Sequence, residues 1–344
     1  MSLKFAFCGS GYIANIHATA LQQFKEKEEV EIIAVVDPFP DLREKFAKKF
    51  NIPKQLSNLE ALLDEGDVDA LIICTPNYLH VPQSLAALNA GVHVMVEKPM
   101  AMNADEAYDL LFHSKTSSSQ LMVAHCWRFD EEVQWLKSQI EKGLLGKIIR
   151  TKSYGIHVNW GPSGWFQQKK FAGGGALVDM GIHAIDTTRF LIGDPFPISV
   201  YARLGTYYKE FDVDDTGILI VNWDNGVSSY IETGWWQPHM DGPESSTQVY
   251  GTTGFGTVFP TYLELPDPMS QRITRIDPGY KHPREEHCSM KMYITQMRYF
   301  INCIREGKTP IPGAKEGWIN MRILDCAYQS ATTGQVINLD WRDI

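Results

Sequence analysis

Leu3-Lys4-Phe5-Ala6-Phe7-Cys8-Gly9-Ser10-Gly11-Tyr12-Ile13-Ala14 opens the chain with a compact apolar run, a glycine turn and a helical pattern that continues to Phe24. Strand, turn and helix in that order, with GxGxxA at the turn, form the context that a dinucleotide-binding fingerprint requires. Gly9 permits the tight turn, and Gly11 lets the backbone approach a pyrophosphate. The small Ala14 lets the helix pack on the strand while its N-terminus faces the anion. A second apolar run, Val30 to Val36, ends in Asp37, where the fingerprint puts its ribose-binding acid. A carboxylate there accepts from a ribose 2'-hydroxyl and repels a 2'-phosphate, which favours NAD over NADP. Arg43, inside the charged run Asp41 to Lys49, reads as a solvated helix residue.

Outward from this stretch, strands and helices alternate. Apolar runs at Asp69 to Cys74, Val92 to Val96 and Leu121 to Ala124 are separated by helical patterns, which predicts a doubly wound parallel sheet. Ligands of such sheets sit beyond the carboxyl ends of the strands. Thr75-Pro76-Asn77-Tyr78-Leu79-His80 and Glu97-Lys98-Pro99 fall there, and a cation at that end of a central strand points to function.

After Gly143-Leu144-Leu145-Gly146 the rhythm changes. Strand-like runs at Ser199 to Tyr208, Thr216 to Trp223, Val227 to Gly234, Gln248 to Gly251 and Phe255 to Phe259 follow one another, and Asp224-Asn225-Gly226 is a hairpin turn. They predict an antiparallel sheet whose open face pairs subunits when it is apolar. Two helices, His287 to Arg305 and Lys315 to Thr333, close the chain before a last short strand at Val336 to Leu339. The expected class is α/β: a Rossmann domain over residues 1–125, then an α+β domain over 126–344 with a mostly antiparallel, open-faced sheet. The C-terminal helices are free to pack back on the first domain.

Composition agrees with this plan. A chain of 344 residues, 44% hydrophobic and 21% charged, has the length and core for two soluble domains. A net charge of -9 argues against nucleic acid or an anionic membrane as partner and leaves a small molecule. Cys8, Cys74, Cys126, Cys288, Cys303 and Cys326 stand singly, without disulfide or zinc-ligand spacing, as in a reducing compartment. No metal site is expected. With no signal segment or membrane-length apolar run, the cytoplasm is the expected location.

Gly173-Gly174-Gly175 leads into Ala176-Leu177-Val178-Asp179-Met180-Gly181-Ile182-His183. On a helix Asp179 and His183 share a face, with Asp186 farther along it. A carboxylate near an imidazole raises its proton affinity and orients it, which is general-base chemistry; the same spacing also serves a salt-bridged structural histidine.

Taken together, the GxGxxA turn with Asp37, Thr75-Pro76-Asn77 with His80, Glu97-Lys98-Pro99, Arg128-Phe129, Gly173-Gly174-Gly175 with Asp179 and His183, and Asp214-Asp215-Thr216 resemble the Gfo/Idh/MocA oxidoreductases over essentially the whole chain. The resemblance implies a catalytic trio of Lys98, Asp179 and His183, with His183 accepting the hydroxyl proton, Lys98 stabilising the alkoxide and Asp179 supporting the charged pair. It implies a cofactor set of Gly9, Ser10, Gly11, Tyr12, Ile13, Asp37, Thr75, Pro76, Asn77, His80, Glu97, Lys98, Arg128 and Trp165. It also implies a sugar or polyol substrate held by Lys98, Arg128, His157, Asn159, Asp179, His183 and Trp236, a cis bond before Pro99, and homodimers or homotetramers through the second sheet. Trp160, Trp165, Trp235, Trp236 and His239 are candidates to stack on sugar faces, or are core and interface aromatics. His157-Val158-Asn159 is similar to the His-x-Asn of inositol dehydrogenases in that family. Here, however, His157 lies farther from Asp179, Trp235-Trp236 stands in place of a tyrosine, and Asp130 replaces the usual proline after Arg128-Phe129. The leading expectation is an NAD-dependent dehydrogenase. The alternatives are an NAD-dependent glycosidase and a non-catalytic sugar or nucleotide sensor on the same fold.

Overall fold

The computed structural model describes residues 2–25, 29–237, 244–267, 269–270, 272–279 and 288–341. It divides into two compact units, one of residues 1–126 and 290–321, the other of residues 127–289 and 322–344.

In the first unit six strands form one sheet: β1 (Leu3–Cys8), β2 (Val30–Val36), β3 (Lys54–Leu56), β4 (Ala70–Ile73), β5 (His93–Val96) and β6 (Leu121–Val123). Their order is β3-β2-β1-β4-β5-β6, and every pair is parallel. Strand order reverses at β1 and β4, the place where a doubly wound sheet opens a ligand crevice. Phe5, Ala6, Phe7 and Cys8 are wholly buried, as a central parallel strand covered on both faces demands. Gly9 has φ of +91°, and a Cβ there would fall 2.5 Å from the Cys74 carbonyl oxygen, so only glycine fits the turn. Helix Met290–Glu306 belongs to this unit, with Phe300 edge-on to Phe5 and Arg298 and Arg305 on Glu29. The Lys98–Pro99 peptide is cis.

The second unit is a nine-stranded sheet ordered β14-β13-β12-β11-β7-β10-β9-β8-β15. The strands are β7 (Ile148–Ile156), β8 (Pro197–Gly205), β9 (Thr216–Trp223), β10 (Ser228–Gly234), β11 (Ser245–Gly251), β12 (Phe255–Val258), β13 (Tyr262–Pro266), β14 (Ile273–Ile276) and β15 (Ile337–Asn338). All pairs are antiparallel except β7 with β10. Four strands, β3, β7, β13 and β14, were not expected from the sequence. β3 has three residues, β14 is exposed throughout, and β7 sends Arg150 and Lys152 to the open face, so none reads as an apolar run.

Helices cover the other face of this sheet, and the one bearing Asp179 and His183 is held at its start by a buried carboxylate. Asp214 accepts from Gly175 N (2.9 Å), Leu177 N (2.8 Å) and the Tyr328 hydroxyl (2.7 Å). Burial, opposed by these bonds, leaves the Asp214 carboxyl above its usual range. The glycines are required by proximity: a Cβ on Gly174 would meet the Tyr328 hydroxyl at 1.9 Å and one on Gly175 the Asp214 carbonyl oxygen at 1.8 Å. Asp215 holds the neighbouring turn through Tyr207 N, Tyr208 N and the Thr216 hydroxyl. The segment is not uniformly α-helical. Leu177–Gly181 is a π turn, in which Ile182 N reaches back to Leu177 O, and the α-helix proper is Ile182–Leu191.

Gly175→Ala is expected to destabilise the second unit by about 3 kcal/mol, because backbone stands where the methyl must go. Gly11→Ala, whose Cβ would meet open space, is expected to leave the thermal midpoint within about one degree of wild type. Calorimetry on the two variants checks the contrast.

Candidate active site

Of the expected cofactor residues, those from Gly9 to Lys98 collect in the first unit at the carboxyl ends of β1, β2, β4 and β5, while Arg128 and Trp165 belong to the second unit. Gly11 begins the helix Tyr12–Lys25, whose first backbone N–H groups point out of the turn. The room above Gly11 and the free helix N-terminus fit a pyrophosphate. Asp37 is buried; Oδ2 accepts from Ser10 N (2.9 Å) and Ser10 Oγ (2.7 Å), and Oδ1 from Phe39 N (2.9 Å). A carboxylate offers about four acceptor positions, so capacity for a ribose hydroxyl remains. Arg43 does not extend into solvent as expected. Its Nη1 donates to the Asp37 carbonyl at 2.6 Å, because the helix Pro40–Phe50 starts three residues after Asp37 and its first turn brings this side chain back.

Two histidines fix the turn that carries Lys98. His80 places Nδ1 2.7 Å from the Pro99 carbonyl and Nε2 2.9 Å from the Thr75 carbonyl, tying the two strand ends to each other. Burial holds its pKa below the usual value, against the pull of those carbonyls. On the other side His17 Nε2 lies 2.6 Å from Glu97 Oε1, while Glu97 Oε2 accepts the Lys98 N–H at 3.1 Å. Burial pushes Glu97 up, but the His17 hydrogen bond, the His17 charge and Lys98 outweigh it, and the carboxyl stays below its usual range. Lys98 itself is half-buried, Asn77 is buried, and Thr75 donates to Gln83 at 2.8 Å.

In the second unit Asp179 Oδ2 accepts from Trp235 Nε1 at 3.0 Å and lies 3.5 Å from His157 Nε2. The opposite nitrogen of His157, Nδ1, is 2.8 Å from Glu244 Oε2. Burial lowers the His157 pKa, but Asp179 and Glu244 together outweigh it and raise the imidazole above 6.5. Four residues along from Asp179, His183 is buried with its ring stacked on Trp127, centroids 4.6 Å apart and planes 17° apart. Trp160 stacks on His157 at 3.6 Å and is half exposed. Trp236 packs against Gly161, and Trp165 stacks on Phe166 at 3.8 Å. Asn159 is exposed, and His239, His282 and His287 lie outside the described residues.

Arg128 is a correction. Its guanidinium, 2% exposed, donates Nε and Nη2 to Asp186 (2.7 and 2.8 Å) and Nη1 and Nη2 to Asp194 (3.0 and 2.7 Å). A forked cation spent on two carboxylates is a structural tie and offers nothing to cofactor or substrate. Asp186, expected on the face of His183, is the other half of that tie.

Three residues of the site went unread. Glu244 is one acid in a polar stretch distant in sequence from His157, and carries no signal. Trp127 is one aromatic among many. His17 was visible in principle, as the polar member of the buried helical stripe Ala14, His17, Ala18, Leu21. Among the described residues no helix is long and apolar enough to cross a membrane, and no group of three or more His, Cys, Asp or Glu is placed to hold a metal ion.

Comparison with known proteins adds a frame to this geometry. The oxidoreductase family with an NAD-binding Rossmann fold, GFO_IDH_MocA, matches residues 3–125, and the GFO/IDH/MocA C-terminal domain matches residues 133–255. D-glucoside 3-dehydrogenase of Escherichia coli is 27% identical, covering 98% of this chain and 97% of its own. The scyllo-inositol 2-dehydrogenase (NAD(+)) of Bacillus subtilis is 24% identical, covering 98% and 96%. The solved structure of levoglucosan dehydrogenase in complex with NADH superposes with a TM-score of 0.88 at 23% identity, covering 99% of this chain and 100% of its own, and so shares the fold.

Arg128→Met is expected to cost about 3–5 kcal/mol in urea unfolding by stranding Asp186. The Michaelis constant for substrate in the folded fraction should stay within about twofold of wild type.

Proposed function

The chain belongs to the GFO/IDH/MocA oxidoreductase family, and on that premise we propose that it is an NAD-dependent dehydrogenase acting on a secondary alcohol of a cyclic sugar or polyol. The observation that carries the reading is the His157–Asp179–His183 set: a buried imidazole four residues along the chain from a carboxylate that is itself held by Trp235 and a second imidazole. Nicotinamide, when bound, supplies the hydride acceptor. The alcohol C–H leaves with its electron pair as hydride, the O–H proton passes to His183, and the carbonyl forms. Asp179 supports the imidazolium, and Lys98 stabilises the developing alkoxide. Trp160, half exposed and stacked on His157, offers an apolar face to a sugar ring. His157 and Trp236 join it as substrate-side groups.

Asp37 favours NAD over NADP. Arg43 beside it is the group that would receive a 2'-phosphate if the carboxylate were removed. The six cysteines, all free, fit a reducing compartment, and we place the protein in the cytoplasm.

The assay is NADH formation over a panel of inositols, aldoses and glycosides. Turnover on a member of the panel, lost by 100-fold or more (about 3 kcal/mol) in Lys98→Ala and His183→Ala with NAD binding retained, is the expected result. Asp37→Ala should narrow the NAD preference over NADP about tenfold or more. Full turnover in His183→Ala would end the assignment.

The open face of the nine-stranded sheet bears on assembly. Along β9, Ile218 and Ile220 are 40% and 44% exposed between buried Gly217, Leu219 and Val221, and Tyr201 and Tyr230 flank Ile220 on the adjacent strands. An apolar row on a sheet face is a pairing surface, and we assign it to a homo-oligomer. Ile220→Lys should reduce the sedimenting mass of the wild-type assembly; an unchanged mass would remove the face from the interface.

A further inference from the structure

Glu244 has no place in the chemistry above, yet it is built into the site with three contacts. One oxygen receives the Trp160 indole N–H at 2.6 Å and the Val158 N–H at 3.4 Å; the other meets His157 Nδ1 at 2.8 Å. His157 is equally constrained. It follows β7, its N–H donates to the Gly234 carbonyl at 2.9 Å, its carbonyl accepts from Gln237 N at 3.3 Å, and the Trp160 ring covers it at 3.6 Å. Its far nitrogen faces Asp179. The charges that bear on this imidazole are therefore Asp179, from the helical segment, and Glu244, from the head of β11. The two acids thus engage opposite nitrogens of one imidazole, and Asp179 precedes His183 by four residues in the chain.

We propose that Glu244 is a positioning residue for the reaction: by holding His157 as a cation against Asp179, it limits how much of that carboxylate's negative charge reaches His183. The proposal rests on the dehydrogenase reading for its kinetic consequence, but its electrostatic content stands without it. The physical step is that a cation beside a carboxylate offsets the field the carboxylate exerts on a third group. An uncompensated Asp179 would raise the proton affinity of His183, and a base that is already protonated at working pH cannot accept the hydroxyl proton. With Glu244 present His157 keeps its proton to higher pH, Asp179 is partly neutralised, and His183 stays in the neutral form that oxidation needs.

The sign of the effect follows. In Glu244→Gln, an isosteric change that retains an acceptor oxygen, His157 loses one of the two charges that raise it, and burial then pulls its pKa down. More of His157 is then neutral at a given pH, more of the Asp179 charge acts on His183, and the His183 pKa rises. The acid limb of kcat/KM for alcohol oxidation therefore moves to higher pH.

The test compares wild type, Glu244→Gln and His157→Gln by two readouts. The first is histidine titration by NMR on the NAD-saturated protein, with His157 and His183 assigned from His157→Gln and His183→Gln. The expected result in Glu244→Gln is a fall in the His157 pKa of about one unit together with a rise in that of His183 of about half a unit. The second is the pH profile of kcat/KM, whose acid limb should rise by the same half unit. If wild type turns over nothing in the sugar panel, the dehydrogenase reading fails while the paired NMR shifts still decide the electrostatic claim. A His157 titration that is the same in wild type and Glu244→Gln overturns the proposal. So does a kinetic defect confined to KM with the acid limb unmoved, which would make Glu244 a support for the binding surface alone.

Discussion

The Asp214 carboxylate is the constraint on which the catalytic half of the second unit depends. Its acceptors are spent on the backbone N–H groups of Gly175 and Leu177 and on the Tyr328 hydroxyl from the C-terminal helix, so the start of the Asp179–His183 segment is tied at one point to the residues leading into β9 and to the end of the chain. A buried carboxylate that gives up its water must receive comparable hydrogen bonds, and backbone donors at a helix start are the natural supply. The glycines follow from this rather than from flexibility: their missing side chains leave the space that Asp214 and Tyr328 fill.

The same device recurs in the first unit. Asp37 gathers Ser10 and Phe39 around the end of β2, and Glu97 gathers His17 and the Lys98 backbone around the end of β5. In each case a carboxylate at a strand end organises its own turn. The functional surface is thus set by acids whose first task is local folding, and Asp37 retains acceptor capacity for a ligand as well.

Much of this was legible in the sequence because it is local. The fingerprint turn, Asp37, the Glu97-Lys98-Pro99 strand end and the Asp179/His183 spacing each lie within a few residues, and their geometry follows from one element. What was not legible is non-local or polar. Glu244 and His157 meet only through the pairing of β7 with β11, which depends on a strand whose open-face residues are charged and which therefore does not read as apolar. Arg128 was misread because a buried arginine and a ligand-binding arginine look alike until Asp186 and Asp194 are seen to occupy its donors. Arg43 was misread because a charged run looks solvated even where one member folds back on the backbone. The assignment of helix Met290–Glu306 to the first unit follows from packing on Phe5 and pairing with Glu29, neither of which is sequence-local.

The π turn at Leu177–Gly181 means that the helix carries one surplus residue between its two reactive side chains. The π segment lies tight against the sheet, since a Cβ on Gly155 of β7 would fall 2.5 Å from the Met180 carbonyl. It also separates the phase of the helix before it from the phase after it. Asp179 reaches Trp235 and His157, and His183 stacks on the face of Trp127. An uninterrupted α-helix advances about 100° per residue, so losing the surplus one would keep either address and forfeit the other. The irregular turn acts as a joint that lets a single rod serve two destinations.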